Sequence, residues 1–296
     1  MKSSIETVKD HKERLNKVVL YIQNNLDKSL SVKNLAAIAC LSPYHFHRLF
    51  TAYYGETLND FIRRVRLERA ASLICHSNFS NEKITSIAFD AGYETPAAFS
   101  KAFRQYFGKA PSEFKSDRAH VVRQYQFHGE LSKIKHTITP CAISVIREQH
   151  VAFLRVTGSY NRASERTWNI LLNFAMSKGI DCENNATLLG IPHDCSSITK
   201  EDKRRYDFCI IVDRDIKPEG EVSMQIVEGG RYAFFPHQGS FHNISLTYKE
   251  IFLNWLPKSG EKLRNAPCLE VFSKLPTLNP FHEDTGIEVC IPLHKN

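Results

Sequence analysis

A short stretch near the N-terminus combines side chains that can read DNA base edges with the spacing of an amphipathic helix. Phe46, Leu49 and Phe50 recur at i, i+3 and i+4, which predicts an apolar stripe on one side. The other side carries a phenol, an imidazole and a guanidinium, from Tyr44, His47 and Arg48. Arginine can bind guanine O6 and N7 together, and tyrosine can pack on a thymine methyl. The alternative to base contact is a solvated helix face.

A second short helix with a tight turn precedes this stretch. Residues 32–39 have helical apolar spacing, and Ser31 is placed to cap them. Cys40 and Leu41 leave room only for a tight turn before Ser42-Pro43, a capping residue followed by a first-turn proline. The pattern predicts a helix-turn-helix, whose second helix lies in the DNA major groove.

The same pattern occurs again further along the chain. Residues 85–91 predict a short helix, residues 92–94 a turn, and residues 95–104 a second helix of the recognition type, beginning with Thr95-Pro96. Phe99, Phe103 and Phe107 repeat the apolar stripe. Between the copies, residues 58–74 predict an amphipathic connecting helix. Its outer side is expected to carry Arg63, Arg64, Arg66 and Arg69.

The second recognition-type helix has few hydrogen-bonding side chains, so we expect the first helix to discriminate more strongly between sequences. On the second helix, the candidates for base contact are Pro96, Ala97, Ala98 and Lys101. The candidates for phosphate contact are Ser42, His45, Thr95 and Arg104. A buried structural hydrogen bond is an equal alternative for His45. Because two successive major grooves lie about 34 Å apart, one chain with two such helices predicts monomeric binding to a non-palindromic site.

An ordered set of residues runs through both copies. It consists of Leu35-Ala36, Ser42-Pro43-Tyr44-His45-Phe46, Arg48, Phe50, Ile87-Ala88, Ala91-Gly92-Tyr93, Phe99-Ser100-Lys101-Ala102-Phe103, Phe107-Gly108 and Pro111-Ser112-Glu113-Phe114. With it, residues 31–115 resemble the DNA-binding domain of the AraC/XylS transcription factors. One departure is Cys40, since such turns usually carry glycine at a position that tends to positive φ. The resemblance implies a double helix-turn-helix that binds promoter DNA.

Composition predicts two globular domains in a reducing compartment. The 296 residues suffice for two cores. No apolar run reaches the length of a membrane helix and the N-terminus has no secretory pattern, so we expect a cytoplasmic protein. The eight cysteines form no C-x-x-C pair, which favours buried free thiols over a zinc site or a redox switch. We expect no metal and no cofactor.

The basic residues are concentrated in the half that carries the helix-turn-helix patterns. Residues 1–118 contain 18 Lys and Arg against 12 Asp and Glu, which gives +6 of the total net charge of +7. Phosphate binding needs such an excess. An excess of this size is compatible with DNA binding and does not establish it.

The second half of the chain contains an internal repeat at an offset of 81 residues (233 − 152). Residues 152–160 align with residues 233–241, and residues 207–210 align with residues 288–291. Each copy is predicted to be a strand, a Gly-Ser turn, a helix and two strands. We therefore expect two β-α-β-β units in one antiparallel-rich sheet, with helices on one face and a concave cleft at the pseudo-twofold axis.

The two Gly-Ser turns, the paired strands and Leu269-Glu270-Val271-Phe272 make residues 138–295 similar to the GyrI-like effector-binding domain. In that family a Glu on the penultimate strand lies in a pocket walled by aromatic residues, and Glu270 occupies the matching position. Its counterpart in the first copy is Leu189, so the repeat itself does not require a carboxylate. The resemblance implies an effector site made of Glu270 with Trp168, Tyr206, Phe208, Phe234, Tyr248 and Phe272.

Such a carboxylate among aromatic rings would favour an apolar cation, through charge pairing and cation–π contact. The alternative is a surface or salt-bridged Glu, since Glu is mostly exposed in proteins. For each aromatic residue taken singly, a plain core position is the alternative.

The sequence thus predicts a multidomain protein. An all-α double helix-turn-helix domain occupies residues 1–118, a linker residues 119–137, and an α+β domain of two β-α-β-β repeats residues 138–296. We expect a transcription regulator, by resemblance an activator in a multidrug response, that binds promoter DNA and a small hydrophobic effector. A contact with RNA polymerase is a further possibility.

Two rival hypotheses concern the second domain. The first is a hydrolase that acts on reactive ligands with Glu270 beside Trp168 or Tyr206. The sequence shows no Ser-His-Asp or Cys-His arrangement and no phosphate loop, so we predict no catalytic residues. The second rival is a protein-interaction module whose pocket is filled by side chains.

Overall fold

The computed structural model describes residues 4–76, 83–117, 142–158, 160–180, 187–196, 198–212, 216–273 and 286–294. The chain divides into two compact units. One consists of Met1–His120 with Glu219–Ser223, and the other of Val121–Pro218 with Met224–Asn296. The predicted linker, residues 119–137, lies outside the described residues.

The first unit is helical. Its helices are α1 (Ser4–Asn24), α2 (Val32–Ile38), α3 (Pro43–Tyr54), α4 (Leu58–His76), α5 (Ile84–Asp90), α6 (Pro96–Phe107) and α7 (Pro111–Ser116). The pairs α2–α3 and α5–α6 are the two predicted helix-turn-helix motifs, and α4 connects them. The all-α class predicted for this half is therefore confirmed.

The two recognition-type helices, α3 and α6, begin and end in the same way. Ser42 accepts a hydrogen bond from the backbone of His45, and a proline occupies the first turn of both helices. Each helix ends at a glycine with left-handed backbone, Gly55 or Gly108. The apolar stripe of α3 is buried in the core as predicted, with Phe46 and Phe50 fully inaccessible to solvent.

The arginines of α4 do not lie on an outer side as a group. Only Arg63 is exposed, whereas Arg64 is buried and Arg66 and Arg69 are partly buried. Arg66 donates from Nε to the carbonyl of Leu26 over 2.8 Å, so it serves to cap the end of the α1 region. The prediction was wrong because other helices surround α4 on more than its apolar face, and the guanidinium groups find partners inside.

The second unit is built on one sheet of eight strands. The strands are β1 (Ala142–Ile146), β2 (Gln149–Thr157), β3 (Leu188–Pro192), β4 (Arg205–Val212), β5 (Ser223–Val227), β6 (Gly230–His237), β7 (Leu269–Phe272) and β8 (Ile287–Leu293). Their order across the sheet is β1-β6-β8-β7-β3-β4-β2-β5. The registered pairs among these strands are antiparallel, as predicted.

The helical segments of this unit follow the same repeat. They are α8 (Tyr160–Ser177), α9 (Ile244–Glu250), a π-helical turn (Ile251–Trp255) and α10 (Leu256–Ser259), with short 3-10 turns at Glu201–Lys203 and Phe241–Asn243. Trp168 of α8 packs its ring edge against Phe208, and Ile251 packs against Phe235. Register places Phe208 and Phe235 on the same face of the sheet, so this face carries both helices.

The repeat is confirmed, and each copy has one strand more than its predicted β-α-β-β unit. The extra strands are β1 and β5, at the start of the two copies. β1 pairs with β6 of the second copy, and β5 lies beside β2 of the first. The first strand of each copy therefore lies in the half of the sheet that the other copy forms. The two halves meet where β3 pairs with β7.

Within the described residues, none of the helices is both long and apolar enough to cross a membrane.

The turn between α2 and α3 contains the one non-glycine residue with positive φ in the described part of the chain. This residue is Cys40, with φ 52°, as the sequence pattern predicted. A side chain in left-handed backbone costs about 1–2 kcal/mol. The turn itself is fixed, because Arg14 of α1 donates hydrogen bonds to the carbonyls of Ala39 and Cys40.

We therefore expect Cys40→Gly to stabilise the protein by about 0.5–1 kcal/mol, since the relief of strain exceeds the added entropy of the unfolded chain. Chemical denaturation monitored by circular dichroism measures the change. Cys40→Ala is the matched control, because it removes the thiol and keeps the Cβ atom. An equal gain in both variants would show that the thiol, rather than backbone strain, is responsible.

Candidate functional sites

The outer face of α3 is exposed and polar. Tyr44, His47 and Arg48 all lie in solvent, and Tyr44 is 67% exposed. The Arg48 guanidinium lies 5.6 Å from the centre of the Tyr44 ring and donates a hydrogen bond of 3.3 Å to its hydroxyl. The structure thus brings these two predicted residues together as one surface that offers several hydrogen-bond donors.

His45 and Ser42 form the start of this helix. The Nδ1 atom of His45 lies 3.1 Å from the hydroxyl of Ser42, and the His45 imidazole is exposed. The buried structural role that was an alternative for His45 is therefore excluded. Both side chains lie at the end of the helix that carries the partial positive charge of its dipole, where a phosphate is favoured.

The outer face of α6 carries smaller side chains than the outer face of α3. Ala97, Ala98 and Lys101 are exposed, and Pro96 is partly buried. The hydroxyl of Thr95 accepts a hydrogen bond of 3.1 Å from the backbone of Ala98. The other predicted phosphate ligand is Arg104, an exposed residue whose Nη2 lies 3.9 Å from Glu113. The small side chains allow close approach of a backbone and supply little direct readout of bases.

The second candidate site surrounds Glu270, on the strand next to the pseudo-twofold axis. Glu270 is 2% exposed, so the alternative of a surface Glu is excluded. Its Oε2 accepts a hydrogen bond of 2.6 Å from the hydroxyl of Tyr206 on β4, and its Oε1 accepts one of 2.9 Å from the hydroxyl of Tyr248 on α9. Both of these described partners are neutral.

Burial governs the electrostatics of this carboxyl group. Loss of solvation raises the pKa of Glu270 from 4.5 to about 7, and the two phenolic hydrogen bonds oppose that rise. The pKa of Tyr248 is also raised, chiefly by burial and then by the nearby carboxylate. The site therefore holds a group that takes up or releases a proton near neutral pH, and among the described residues it has no cationic partner.

Aromatic rings extend from the tyrosines on the same face of the sheet. Tyr206 and Phe208 have ring centres 4.8 Å apart, and Trp168 lies edge-on to Phe208 at 5.1 Å. Trp168 also contacts Phe272, at 5.6 Å. The predicted residues Trp168, Tyr206, Phe208, Tyr248 and Phe272 are therefore brought together around Glu270.

Phe234 is the exception among the predicted effector residues. In the strand register, Phe235 and Glu270 are both opposite Val289, so these two side chains share a face of the sheet. Phe234, one position earlier, points to the opposite face. The prediction that Phe234 lines the site is wrong because it did not take into account the alternation of side chains along β6.

Two residues of the site were not found from the sequence. A Cβ atom on Gly190 would lie 1.7 Å from the Tyr206 hydroxyl, so only glycine lets that hydroxyl cross β3 to Glu270. Phe241 adds a ring 6.3 Å from both Tyr206 and Phe272. The offset of 81 aligns Gly190 with Val271 and Phe241 with Tyr160, and neither alignment indicates a contact with Tyr206.

The opposite face of the sheet holds a separate buried ion cluster. Asp207 accepts two hydrogen bonds from Arg155, at 2.6 and 2.7 Å, and lies 2.7 Å from Nε2 of His193. Arg155 and His193 lower the pKa of Asp207 against the effect of burial. The opposite charges of Arg155 and Asp207 compensate each other within this cluster. No group of His, Cys, Asp and Glu within the described ranges could hold a metal ion.

Comparison with known families matches both units. Residues 139–294 match the GyrI-like small molecule binding domain, and residues 35–117 match a helix-turn-helix domain. Regulatory protein PocR of Salmonella typhimurium is 34% identical over 105 residues, which are 36% of this chain and 34% of PocR. The XylDLEGF operon transcriptional activator 3 of Pseudomonas putida is 31% identical over 110 residues, 37% of this chain and 33% of the activator.

The chain thus spans about a third of the length of these relatives. Among solved structures, the cryo-EM structure of an EcmrR–DNA complex covers 90% of this chain and 99% of EcmrR, with 15% identity and a TM-score of 0.45.

The raised pKa of Glu270 makes stability depend on pH in a defined direction. A group whose pKa is higher in the folded than in the unfolded state stabilises the fold at low pH, and this contribution is lost as pH rises from about 4.5 to about 7. The loss amounts to roughly 3 kcal/mol. Glu270→Gln cannot ionise, so we expect it to remove this decline in the free energy of unfolding, measured by urea titration across the interval.

Glu228→Gln is the matched control, because Glu228 has 81% of its side chain exposed. Its stability should follow that of the wild type at every pH. Parallel curves for the wild type and Glu270→Gln would show that Glu270 does not titrate in this interval.

Proposed function

The chain belongs to the GyrI-like family and carries an AraC-type helix-turn-helix domain, and from this we propose that it is a transcription regulator controlled by a small molecule. The first unit would bind promoter DNA and the second would bind the effector. We assign DNA binding to residues 1–118, the linker to residues 119–137 and effector binding to residues 138–296.

The observation that supports DNA binding is the division of α3 into a buried and an exposed side. Its phenylalanines are in the core, while Tyr44, His47 and Arg48 present a guanidinium, an imidazole and a phenol to solvent. Major-groove edges are read by such groups, and Arg48 is the candidate for guanine. Lys101 and the alanines of α6 would enter a second groove, with Ser42, His45, Thr95 and Arg104 on phosphates.

Two recognition-type helices in one chain also support monomeric binding to an asymmetric site. The helices start at Pro43 and Pro96, and one chain could fill two successive grooves on one side of the duplex. The P. putida relatives are described as transcriptional activators, which favours activation here. Contact with RNA polymerase and a role in multidrug response stay predictions.

The observation that supports an effector cation is that the carboxyl group of Glu270 has no cationic partner in the part of the chain that the structure describes. Its described hydrogen-bond donors, Tyr206 and Tyr248, are neutral, and aromatic rings surround it. A cation with apolar substituents would supply the missing charge and bury its surface against Trp168, Phe208 and Phe272. Binding would then shift the population of conformations of the second unit, which is the step that regulation needs.

The proposed charge selectivity can be tested with two probes of equal shape. We expect benzyltrimethylammonium to bind the wild type, and its uncharged carbon isostere neopentylbenzene to bind about tenfold or more weakly. Glu270→Gln should remove this difference. Quenching of tryptophan fluorescence, to which Trp168 contributes, measures both affinities.

The affinity for the cation should also rise between about pH 6 and about pH 8 in the wild type, since Glu270 has to lose its proton. Glu228→Gln, on an exposed carboxyl group, should behave as the wild type does. Equal binding of both probes by the wild type would contradict the proposal of a cationic effector.

DNA recognition can be tested by selection from a random pool of duplexes at moderate salt. We expect the wild-type protein to enrich one asymmetric site, and Arg48→Ala to lose base preference in one groove, with a cost of about 1–3 kcal/mol at the contacted position. Arg147→Ala is the matched control, since it removes an exposed arginine from the second unit. Enrichment of a palindrome would contradict monomeric binding, and unchanged preference in Arg48→Ala would contradict the role of Arg48.

A further inference from the structure

A chain of polar side chains connects the C-terminal ends of the two recognition-type helices across α4. Glu56, which follows the last residues of α3, receives hydrogen bonds from Nε and Nη2 of Arg64, the shortest at 2.8 Å. Nη1 of Arg64 donates to Oε2 of Glu68 over 3.0 Å. The Tyr106 hydroxyl, in the last turn of α6, donates to Oε1 of Glu68 over 2.8 Å. We call Glu56, Arg64, Glu68 and Tyr106 the α4 polar chain.

Three of the four members of the α4 polar chain, all except Tyr106, are largely removed from water. The side chains of Arg64 and Glu68 are 9% and 5% exposed, and that of Glu56 is 14% exposed. Buried charges that are paired and hydrogen-bonded tolerate little displacement, because any loss of a partner leaves a charge without compensation. Burial, followed by the charge of Glu68, raises the pKa of Tyr106 above its ordinary value, which already lies above neutral pH.

A second contact holds the other side of α4. Arg66, two residues after Arg64 and thus about 200° around the helix, donates to the carbonyls of Leu26 and Lys28. A Cβ atom on Gly92 would lie 2.3 Å from the Leu26 carbonyl oxygen and 2.6 Å from Nη2 of Arg66. The turn that leads into α6 therefore rests directly on α4 and on the residues after α1.

The two contacts differ in what they constrain. The packing at Gly92, in the turn before α6, fixes the N-terminal end of α6. The α4 polar chain fixes the position of the C-terminal end of α6 relative to the C-terminal end of α3. A helix held at both ends cannot pivot, and a pivot of α6 would change the distance and the angle between the two DNA-reading faces.

We propose that Glu68 and Tyr106 are positioning residues that set the spacing of the two groove contacts, and thus the number of base pairs between the two parts of the DNA site. This inference rests on the proposed DNA binding. Neither side chain needs to touch DNA for this role. One base pair more or less rotates the second groove by about 34°, so a rigid protein distinguishes such sites.

The test uses the full-length protein and the site selected by the wild type, with one base pair inserted or removed between its two parts. We expect the wild type to bind the altered spacings roughly tenfold or more weakly. Tyr106→Phe removes only the bond to Glu68, so its affinity for the original site should stay within about threefold and its penalty for altered spacing should fall to about a third. Glu68→Gln should lower the penalty in the same direction.

Tyr21→Phe is the matched control, because Tyr21 is 42% exposed and Tyr106 is 40% exposed. It should keep the wild-type penalty, and circular dichroism should show equal helix content in all variants. A wild-type penalty in both Tyr106→Phe and Glu68→Gln would overturn the inference and leave DNA binding intact. Failure of the wild type to prefer any sequence would instead overturn the proposed function, and the inference with it.

Discussion

The second unit depends on the pairing of β3 with β7. This pairing joins the two copies of the repeat, and its register sets Gly190 opposite Glu270. Without a side chain at Gly190, the hydroxyl of Tyr206 can cross the strand and reach the carboxyl group. The geometry of the site is thus decided by which residues face each other at the pseudo-twofold axis. A shift of register by one residue would send Glu270 to the other face.

Glu68 of the first unit and Glu270 of the second are both buried carboxyl groups, and their charges are met in opposite ways. Glu68 lies against the guanidinium of Arg64, so its charge is compensated inside the protein. Glu270 meets only phenolic donors among its described partners, so its charge is hydrogen-bonded but not neutralised. The first arrangement suits a rigid connection between helices. The second leaves the charge of Glu270 for a bound cation to compensate. Without such a ligand, burial favours the protonated form of this carboxyl group.

The sequence predicted those features that are local or periodic. The caps and phenylalanine stripes placed α3 and α6, and the offset of 81 residues placed the strands of both copies. It failed where the outcome depends on contacts across elements. Arg64 has the polarity of a solvent-facing residue, and only the approach of Glu56 and Glu68 makes it an interior one. Gly190 looks like any strand glycine until Tyr206 of the next strand is placed over it.

The wrong assignment of Phe234 has a different origin. An aromatic side chain adjacent to the right one on a strand points the opposite way, and composition does not reveal which of Phe234 and Phe235 faces the helices. The strand register of β6 with β8 decides this, and the register follows from the whole sheet. Site residues on strands are therefore harder to predict from a sequence than those on helices, where several positions share a face.

The exchange of first strands between the two copies has a consequence for synthesis of the chain. β1 is made early, but its partner β6 lies at Gly230–His237, more than half of the unit further along. While the chain emerges, β1 has an unpaired edge, and the first copy cannot close its sheet by itself. Completion of the fold must wait for the second copy, so the unit gains its structure late and as a whole. A truncated chain that ends between the copies would expose strand edges, which are sites of aggregation.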